Sequence, residues 1–490
     1  MASLVRNETG PEGSLYELVA RGVKDKYFYH DDKEAIHPFD WRYNRWPGSL
    51  PEERWTVPTN PARFGQRCEF EFELPGDVLV EAALVIELPS WLPPEMVDPN
   101  PVSDTHAVGN ADEVYGYVNG IGYFLFERIQ IFQDKILLQE VSGDALYAAQ
   151  LTRSSWNQGF LTQQLAGIHD GSKLSIQRNA TPGRLEIRLP MIGCSSPGDK
   201  GLPLCGLRQQ PFRLRLHLRP LDRLVESYLQ TINPAPWTKT FQQTTEQLVN
   251  GVLTPVTITG LAVPFPEIKQ PTLYLRTKQL YLLNEARAEL EKETIEVPYI
   301  RYYENFFSVN NLDYAPLEKF NSGDLNRSAI LVKFLDSQYT VEEIITFFRN
   351  TTVIAQNRLY DFTNSRAGSD GQFYNSIKLT IAGQLREGAW EPEVWQDVVP
   401  FFKEERDSSR TICIMNWALG WRVEDTPPAV REPTGGINFT TADRPMLSID
   451  LRDIDINPVL GYKQADMRSV CVSWALYRIR NGRGGLEYAN

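Results

Sequence analysis

Two short segments constrain the fold of this chain more than anything else in it. Cys68-Glu69-Phe70-Glu71-Phe72-Glu73-Leu74 alternates apolar and acidic side chains, and Phe212-Arg213-Leu214-Arg215-Leu216-His217-Leu218-Arg219 alternates apolar and basic ones. Successive side chains of an extended backbone point to opposite faces, so a period of two marks a half-buried β-strand. Weaker copies of the pattern occur at Leu185–Leu189, Ile377–Ile381, Thr411–Ile414 and Leu447–Leu451, and Ser469–Ile479 continues it near the end. Helix signals are few. Thr340-Val341-Glu342-Glu343 reads as a capping box ahead of Ile344, Ile345, Phe347 and Phe348, which predicts a short helix. A second short helix is expected over Leu282–Glu293, with Asn284 as its cap. The chain has 33 Gly and 33 Pro, many of them between strand candidates, which suits antiparallel sheet rich in turns.

The 490 residues divide in two. Thr231–Pro271 holds eight Thr, six Pro and four charged residues, a composition that suits an extended connector or long loop. Strand-rich sequence flanks it on both sides, so residues 55–230 and 272–490 are each expected to form a β domain. The first 54 residues, rich in charge and aromatics, read as an arm. Met1–Gly10 has no apolar core of the kind a secretory signal carries, and Leu253–Pro266 is too short and too broken by proline to span a membrane.

Chemistry is sparse. The net charge is −12 and the pI about 5.2, which argues against a surface that coats nucleic acid or an acidic membrane. The five Cys stand at 68, 194, 205, 413 and 471, with no Cys-x-x-Cys, and are expected to be free buried thiols. The five His, at 30, 37, 106, 169 and 217, include no pair four apart on a helix, so no metal ligand set is expected. His217 falls on the polar side of its strand among arginines, and Glu69, Glu71 and Glu73 share one strand face instead of opposing each other across a cleft. Asn481-Gly482-Arg483-Gly484-Gly485 follows a strand and reads as a turn rather than a phosphate-binding loop. Residue chemistry alone therefore leads to a two-domain all-β assembly or binding protein with no catalytic, cofactor or metal residues.

Several segments resemble the major capsid proteins of the nucleocytoplasmic large DNA viruses, the family of iridoviruses and chlorella viruses. Leu18-Val19-Ala20-Arg21-Gly22-Val23-Lys24-Asp25-Lys26-Tyr27 resembles that family's opening L-V-A-x-G-x-x-D-x-Y, carried by Gly22 and Asp25. Phe39, Tyr43 and Arg45 fall where its next motif would sit, although Asp40 and Asn44 replace basic residues there. Gly76-Asp77-Val78-Leu79, followed by Leu84–Pro89, is similar to its G-D-L and the strand after it, and Asn119–Tyr123 with Glu127–Ile129 to its next strand pair. Pro400-Phe401-Phe402 precedes the strand at Ile412, and Pro433-Thr434-Gly435-Gly436-Ile437-Asn438-Phe439-Thr440-Thr441-Ala442-Asp443 resembles P-x-G-x-x-N-F-S-R-x-D, with Thr441 in place of the arginine. The motifs lie in the family's order over nearly the whole chain.

The resemblance implies an all-β chain of two tandem eight-stranded jelly rolls, with short helices in loop insertions. It implies a homotrimer of pseudo-sixfold outline that meets neighbouring capsomers in an icosahedral shell, in a virion assembled in the host cytoplasm. Minor capsid proteins and the inner viral membrane beneath the shell are the further partners it suggests, with no direct contact to nucleic acid and no cofactor. The arm aromatics Tyr27, Phe39, Trp41 and Trp46 are expected at contacts beneath the capsomer. Pro433, Gly435, Asn438, Phe439 and Asp443 are expected to order a loop of the second roll, with Asn438 and Asp443 suited to side-chain turn bonds. The alternatives are a minor capsid or scaffold protein of the same fold, and an all-β carbohydrate-binding protein or glycosidase.

Overall fold

The computed structural model describes residues 49–90, 114–153, 165–194, 201–207, 210–234, 240–249, 252–262, 269–310, 329–366, 370–400, 411–418, 433, 435–454 and 463–487. Within them the chain folds into two pairs of four-stranded antiparallel sheets. The first pair joins the order β1 (Ser49–Thr56), β13 (Thr272–Leu282), β3 (Val78–Glu87), β7 (Arg184–Arg188) to the order β2 (Arg67–Glu71), β9 (Phe212–Leu218), β5 (Phe126–Gln133), β6 (Ile136–Val141). The short β8 (Leu202–Pro203) also pairs with β3. The second pair joins β14 (Ile295–Asn310), β22 (Gln464–Arg480), β16 (Thr340–Asn350), β19 (Cys413–Asn416) to β15 (Ala329–Phe334), β21 (Met446–Leu451), β17 (Tyr374–Ile381), β18 (Gln384–Trp390). Short β20 (Ile437–Asn438) and β23 (Arg483–Leu486) add to β16 and β22. Two small ribbons, β4 (Tyr115–Tyr117) with β10 (Val225–Ser227) and β11 (Thr240–Val249) with β12 (Val252–Ala262), complete the strands.

The two alternating segments form neighbouring strands. β2 and β9 pair antiparallel with Glu69 opposite Arg215 and Glu71 opposite Arg213, so the acidic stripe of one meets the basic stripe of the other. Their apolar sides, Cys68, Phe70, Leu214 and Leu216, enter the core. All the weaker alternating segments are strands as well, and the Gly-rich segment makes the β22–β23 turn, with Asn481 at φ 54° and Gly482 at φ 76°.

Three expectations change. Thr340–Phe348 is the strand β16, not a helix. Its sheet is buried on both faces: Ile344 and Phe348 enter the core of the second roll, while Ile345 and Phe347 join the core that fills the first. A strand covered on both sides has no polar face, so period two vanishes and the apolar run imitates a helix. Of the expected strand pair, Glu127–Ile129 lies in β5 but Asn119–Tyr123 is no strand; Ile121–Phe124 is a single helical turn, α1, entered through Gly120 at φ 76°. The third concerns the boundary between the halves. The Thr- and Pro-rich segment contains the β11–β12 ribbon, and beyond it β13 returns to the middle of the first sheet between β1 and β3. Residues 49–54 and 272–282 therefore belong to the first roll: its sheet is closed by strands from both ends of its sequence, which a composition break cannot reveal. The helix expected over Leu282–Glu293 is present as Asn284–Lys292, although Leu283, not Asn284, holds the cap position and makes no side-chain bond.

Candidate functional site

The surface where the two rolls meet is the most elaborate polar site among the described residues. It is built on α2 (Gly143–Arg153), which enters from the first roll. Ser142 Oγ accepts the Ala145 N–H at 3.1 Å, and Asp144 occupies the first helical turn, where the helix dipole favours an acid. Gly143 is required between them, because a Cβ there would lie 2.0 Å from Tyr123 O. Asp144 takes three arginines. Arg219 Nη2, just past β9, donates at 2.5 Å, Arg349 Nη1 at the end of β16 at 2.7 Å, and Arg468 Nη1 on β22 at 2.8 Å. Burial alone would raise the Asp144 pKa, but the charges of Arg219, Arg349 and Arg468 outweigh it and hold the carboxyl well below the usual carboxylate range. Burial also lowers the pKa of Arg349, in part against the pull of Asp144. Beside the knot, Ser142 N and Oγ donate to Glu304 of β14 at 2.5 and 2.7 Å, and burial raises the Glu304 pKa against those bonds.

A second latch joins the rolls near β10. The helical turn Thr351–Ala355 is capped by Asn350, whose side chain accepts the Thr352 N–H. Past its end, Asn357 at φ 60° donates Nδ2 to Asp222 O and Val225 O, both at 2.7 Å. Buried Glu226 of β10 lies 3.2 Å from His169 Nε2 and also meets Tyr360 from the second roll. Gly171 donates its N–H to His169 Nδ1. A third contact runs from Tyr477 Oη to Gln133 Oε1 at 2.8 Å. Apolar packing surrounds all three, since Tyr299, Phe347, Val470 and Val472 share one cluster with the interior of the first roll. These ionisable groups are tied to one another, and their arrangement suits fastening rather than turnover.

The outer faces differ. The β2–β9–β5–β6 sheet carries ion pairs between Arg215 and Glu69 at 2.8 Å and Arg128 and Glu140 at 3.3 Å. On the β1–β13–β3–β7 sheet, Arg276 joins Glu186, Glu81 and Glu53, and Arg184 stacks on Trp55. His217 sits among Arg67, Arg128 and Arg215, and burial followed by those charges lowers its pKa. The edge strand β15 shows instead Ile330, Val332 and Phe334 outward, at 74%, 46% and 59% exposure.

The family-motif residues are not gathered in one place. Gly76 donates its N–H to Gln279 Oε1 at 2.8 Å, and Asp77 Oδ2 accepts the Leu282 N–H at 2.8 Å, so this pair fastens the start of β3 to β13. In the second roll Asn438 Oδ1 accepts the N–H groups of Thr440 and Thr441, and Phe439 is buried in that roll's core. Asp443 differs from expectation: its exposed carboxylate lies 3.9 Å from Arg444, and its backbone carbonyl accepts from Ala382. Pro433 and Gly435 lie in the coil before β20. Gly22, Asp25, Tyr27, Phe39, Trp41 and Trp46 lie outside the described residues, as do His30, His37, His106 and residues 100–113. All five Cys are free; burial pushes the thiols of Cys68 and Cys471 up to about 12. Sequence reasoning missed Asp144, Arg349, Arg468 and Asn357. The one available signal was Arg349 at the end of an apolar run, since a strand buried on both faces leaves any charge within it in need of a partner.

Two packed eight-stranded sandwiches joined through a shared core define the double jelly-roll class of fold. Three solved structures share it. The PBCV-1 protein VP54, fitted into a reconstruction of the virophage Sputnik, matches with a TM-score of 0.63 at 14% identity, over 92% of this chain and 100% of that one. The quasi-atomic model of the PBCV-1 capsid gives 0.62 at 15% over the same shares, and the Faustovirus major capsid protein 0.60 at 11% over 98% of each chain. No protein-family model and no curated protein sequence matches the chain. The fold is thus the double jelly roll of viral major capsid proteins.

Proposed function

We propose that this chain is a structural capsid protein, a major component of an icosahedral virus shell, and not an enzyme. The likeness to VP54 along nearly the full length of both chains carries the reading. In it, three copies close into a pseudo-hexameric capsomer through a heterologous interface, and capsomers tile the shell. Two similar rolls per chain and three chains per ring give six near-equivalent corners, which suits a hexagonal net. The apolar edge of β15 is the face we assign to contact between copies of this chain. It lacks the ion-pair ladders of the other outer faces, and a ring of copies would cover it. The arm, with Tyr27, Phe39, Trp41 and Trp46, docks beneath the capsomer on a neighbour, a minor capsid protein or the inner membrane, and assembly takes place in the host cytoplasm. No direct nucleic-acid contact belongs to the reading, in keeping with a net charge of −12.

The deciding experiment is the absolute mass of the purified protein by light scattering. A species of roughly 168 kDa, three times the 56.0 kDa of one chain, is expected. A stable monomer that binds polysaccharide would replace this reading with an all-β carbohydrate-binding protein. For the arm, deletion of Met1–Ala20 is expected to leave the rolls folded and to impair shell assembly; normal shells would refute the docking role.

A further inference from the structure

The joint between the rolls opens into a cleft of about 790 Å³, a size typical of small-molecule sites. Both rolls contribute to it, and six arginines and five carboxylates line it. Three of the five carboxylates are committed, while Glu127 is exposed and forms no ion pair with the described residues. Glu140 is held by Arg128, Asp144 by three arginines, and Glu304 by Ser142. Asp466 stands 3.8–3.9 Å from Arg468 and Arg349, beyond hydrogen-bond reach. Two of the six arginines are uncommitted as well. Arg223, on the turn Leu221–Arg223, and Arg301, on β14, form no ion pair with the described residues. Arg349 is only 2% exposed, yet its Nε donates to nothing, and the Nε of Arg468 is likewise buried without a partner.

Buried donors of a charged group are normally satisfied, and two orphans on neighbouring guanidinium groups call for an acceptor. The planar N–H fork of arginine matches a phosphate oxygen pair, and a low-dielectric cleft strengthens the match. We propose that this cleft is a binding site for a small polyphosphate anion, which bridges Arg223 of the first roll to Arg301 of the second above the Arg349–Arg468 pair. The aromatic floor suits this arrangement, because Arg301 lies 5.2 Å from the Tyr303 ring centre and Arg468 4.7 Å from that of Phe306, which orients both side chains. An occupant touching both rolls would tighten their joint, so binding should register as stability.

The test uses the full-length protein with sodium tripolyphosphate as probe and sodium sulfate at matched ionic strength as control, read by thermal melting and titration calorimetry. Tripolyphosphate is expected to raise Tm saturably and to bind one per chain, with sulfate much weaker. Arg223→Ala with Arg301→Ala should fold with nearly unchanged Tm when no anion is added, since neither side chain holds an acid, and should weaken tripolyphosphate binding at least tenfold. Equal effects of sulfate and tripolyphosphate, absence of binding heat at millimolar probe, or undiminished binding by the double variant would each overturn the site. A double variant that failed to fold would be replaced by Arg301→Gln alone, read by the same titration. None of these outcomes depends on whether the protein forms a shell.

Discussion

Asp144 is the residue on which the joint depends. It is fully buried and balances three guanidinium groups, so Asp144→Ala would leave three buried cations without their shared acceptor. Breaking a buried ion pair from one side costs about 3–5 kcal/mol, and a loss of that order is expected by chemical denaturation. The pH dependence follows from the direction of the shift. A depressed folded-state pKa contributes stability that is present above the unfolded carboxylate value and lost as pH falls through the folded one, so the Asp144 share should persist to strongly acid pH. Glu304 works the other way. Its raised folded-state pKa contributes stability that is full below the ordinary glutamate value of 4.5 and lost as pH rises through the folded value. Glu304→Gln should therefore flatten the decline in stability above about pH 4.5, as read from denaturant midpoints across that range. Wild-type slope in the variant would remove Glu304 as the cause. Gly76 and Asp77 were visible in the sequence as motif residues. Asp144 was not, because nothing in Ser142-Gly143-Asp144 distinguishes a buried acid from a turn acid until Arg349 and Arg468 arrive from more than 200 residues away.

At the scale of elements, β2 and β9 were legible and β16 was not. The first two are half-buried, so solvent preserves their alternation, and even their pairing was implicit in the match of an acidic stripe to a basic one. Their ion pairs are partly exposed, so they set register more than stability. In a charge-swap cycle of Glu69 and Arg215 each single swap should cost under about 1 kcal/mol, and the double swap should recover it. β16 lies between two cores and shows no polar face. Phe347→Ala and Phe348→Ala should each cost about 3–5 kcal/mol, although the two rings point into different cores. A helix exposed on one side would not show equal costs at adjacent positions. On β15, Val332→Glu with Phe334→Glu should leave the melting of an isolated chain nearly unchanged, because both side chains are exposed there, and should shift the light-scattering mass from that of the proposed trimer toward monomer.

At the scale of the molecule, the joint makes the rolls one unit. The core of the first roll continues into the β14–β22–β16–β19 sheet of the second, and the described residues form a single compact body. Calorimetry should therefore give one unfolding transition for the wild type. Two transitions are expected in Asp144→Ala, where the three-arginine fastening of the joint is lost. A single shared transition in that variant would mean that apolar packing alone couples the rolls.

What the sequence by itself determined was the kind of layer this chain can build. Period-two alternation, turn-forming residues between strands and a scarcity of helix signals leave antiparallel sandwiches as the way to bury one face of each strand, and the order of motifs pointed to two of them. What only the tertiary structure decided was how the sandwiches share their strands and charges. Strand β13 crosses the composition break to complete the first roll, β16 loses its alternation between two cores, and Asp144 gathers arginines from both halves. The physical reason is common to all three: alternation and turn chemistry are local and survive in a window of ten residues, whereas burial on a second face, sheet closure and charge compensation depend on partners hundreds of residues away.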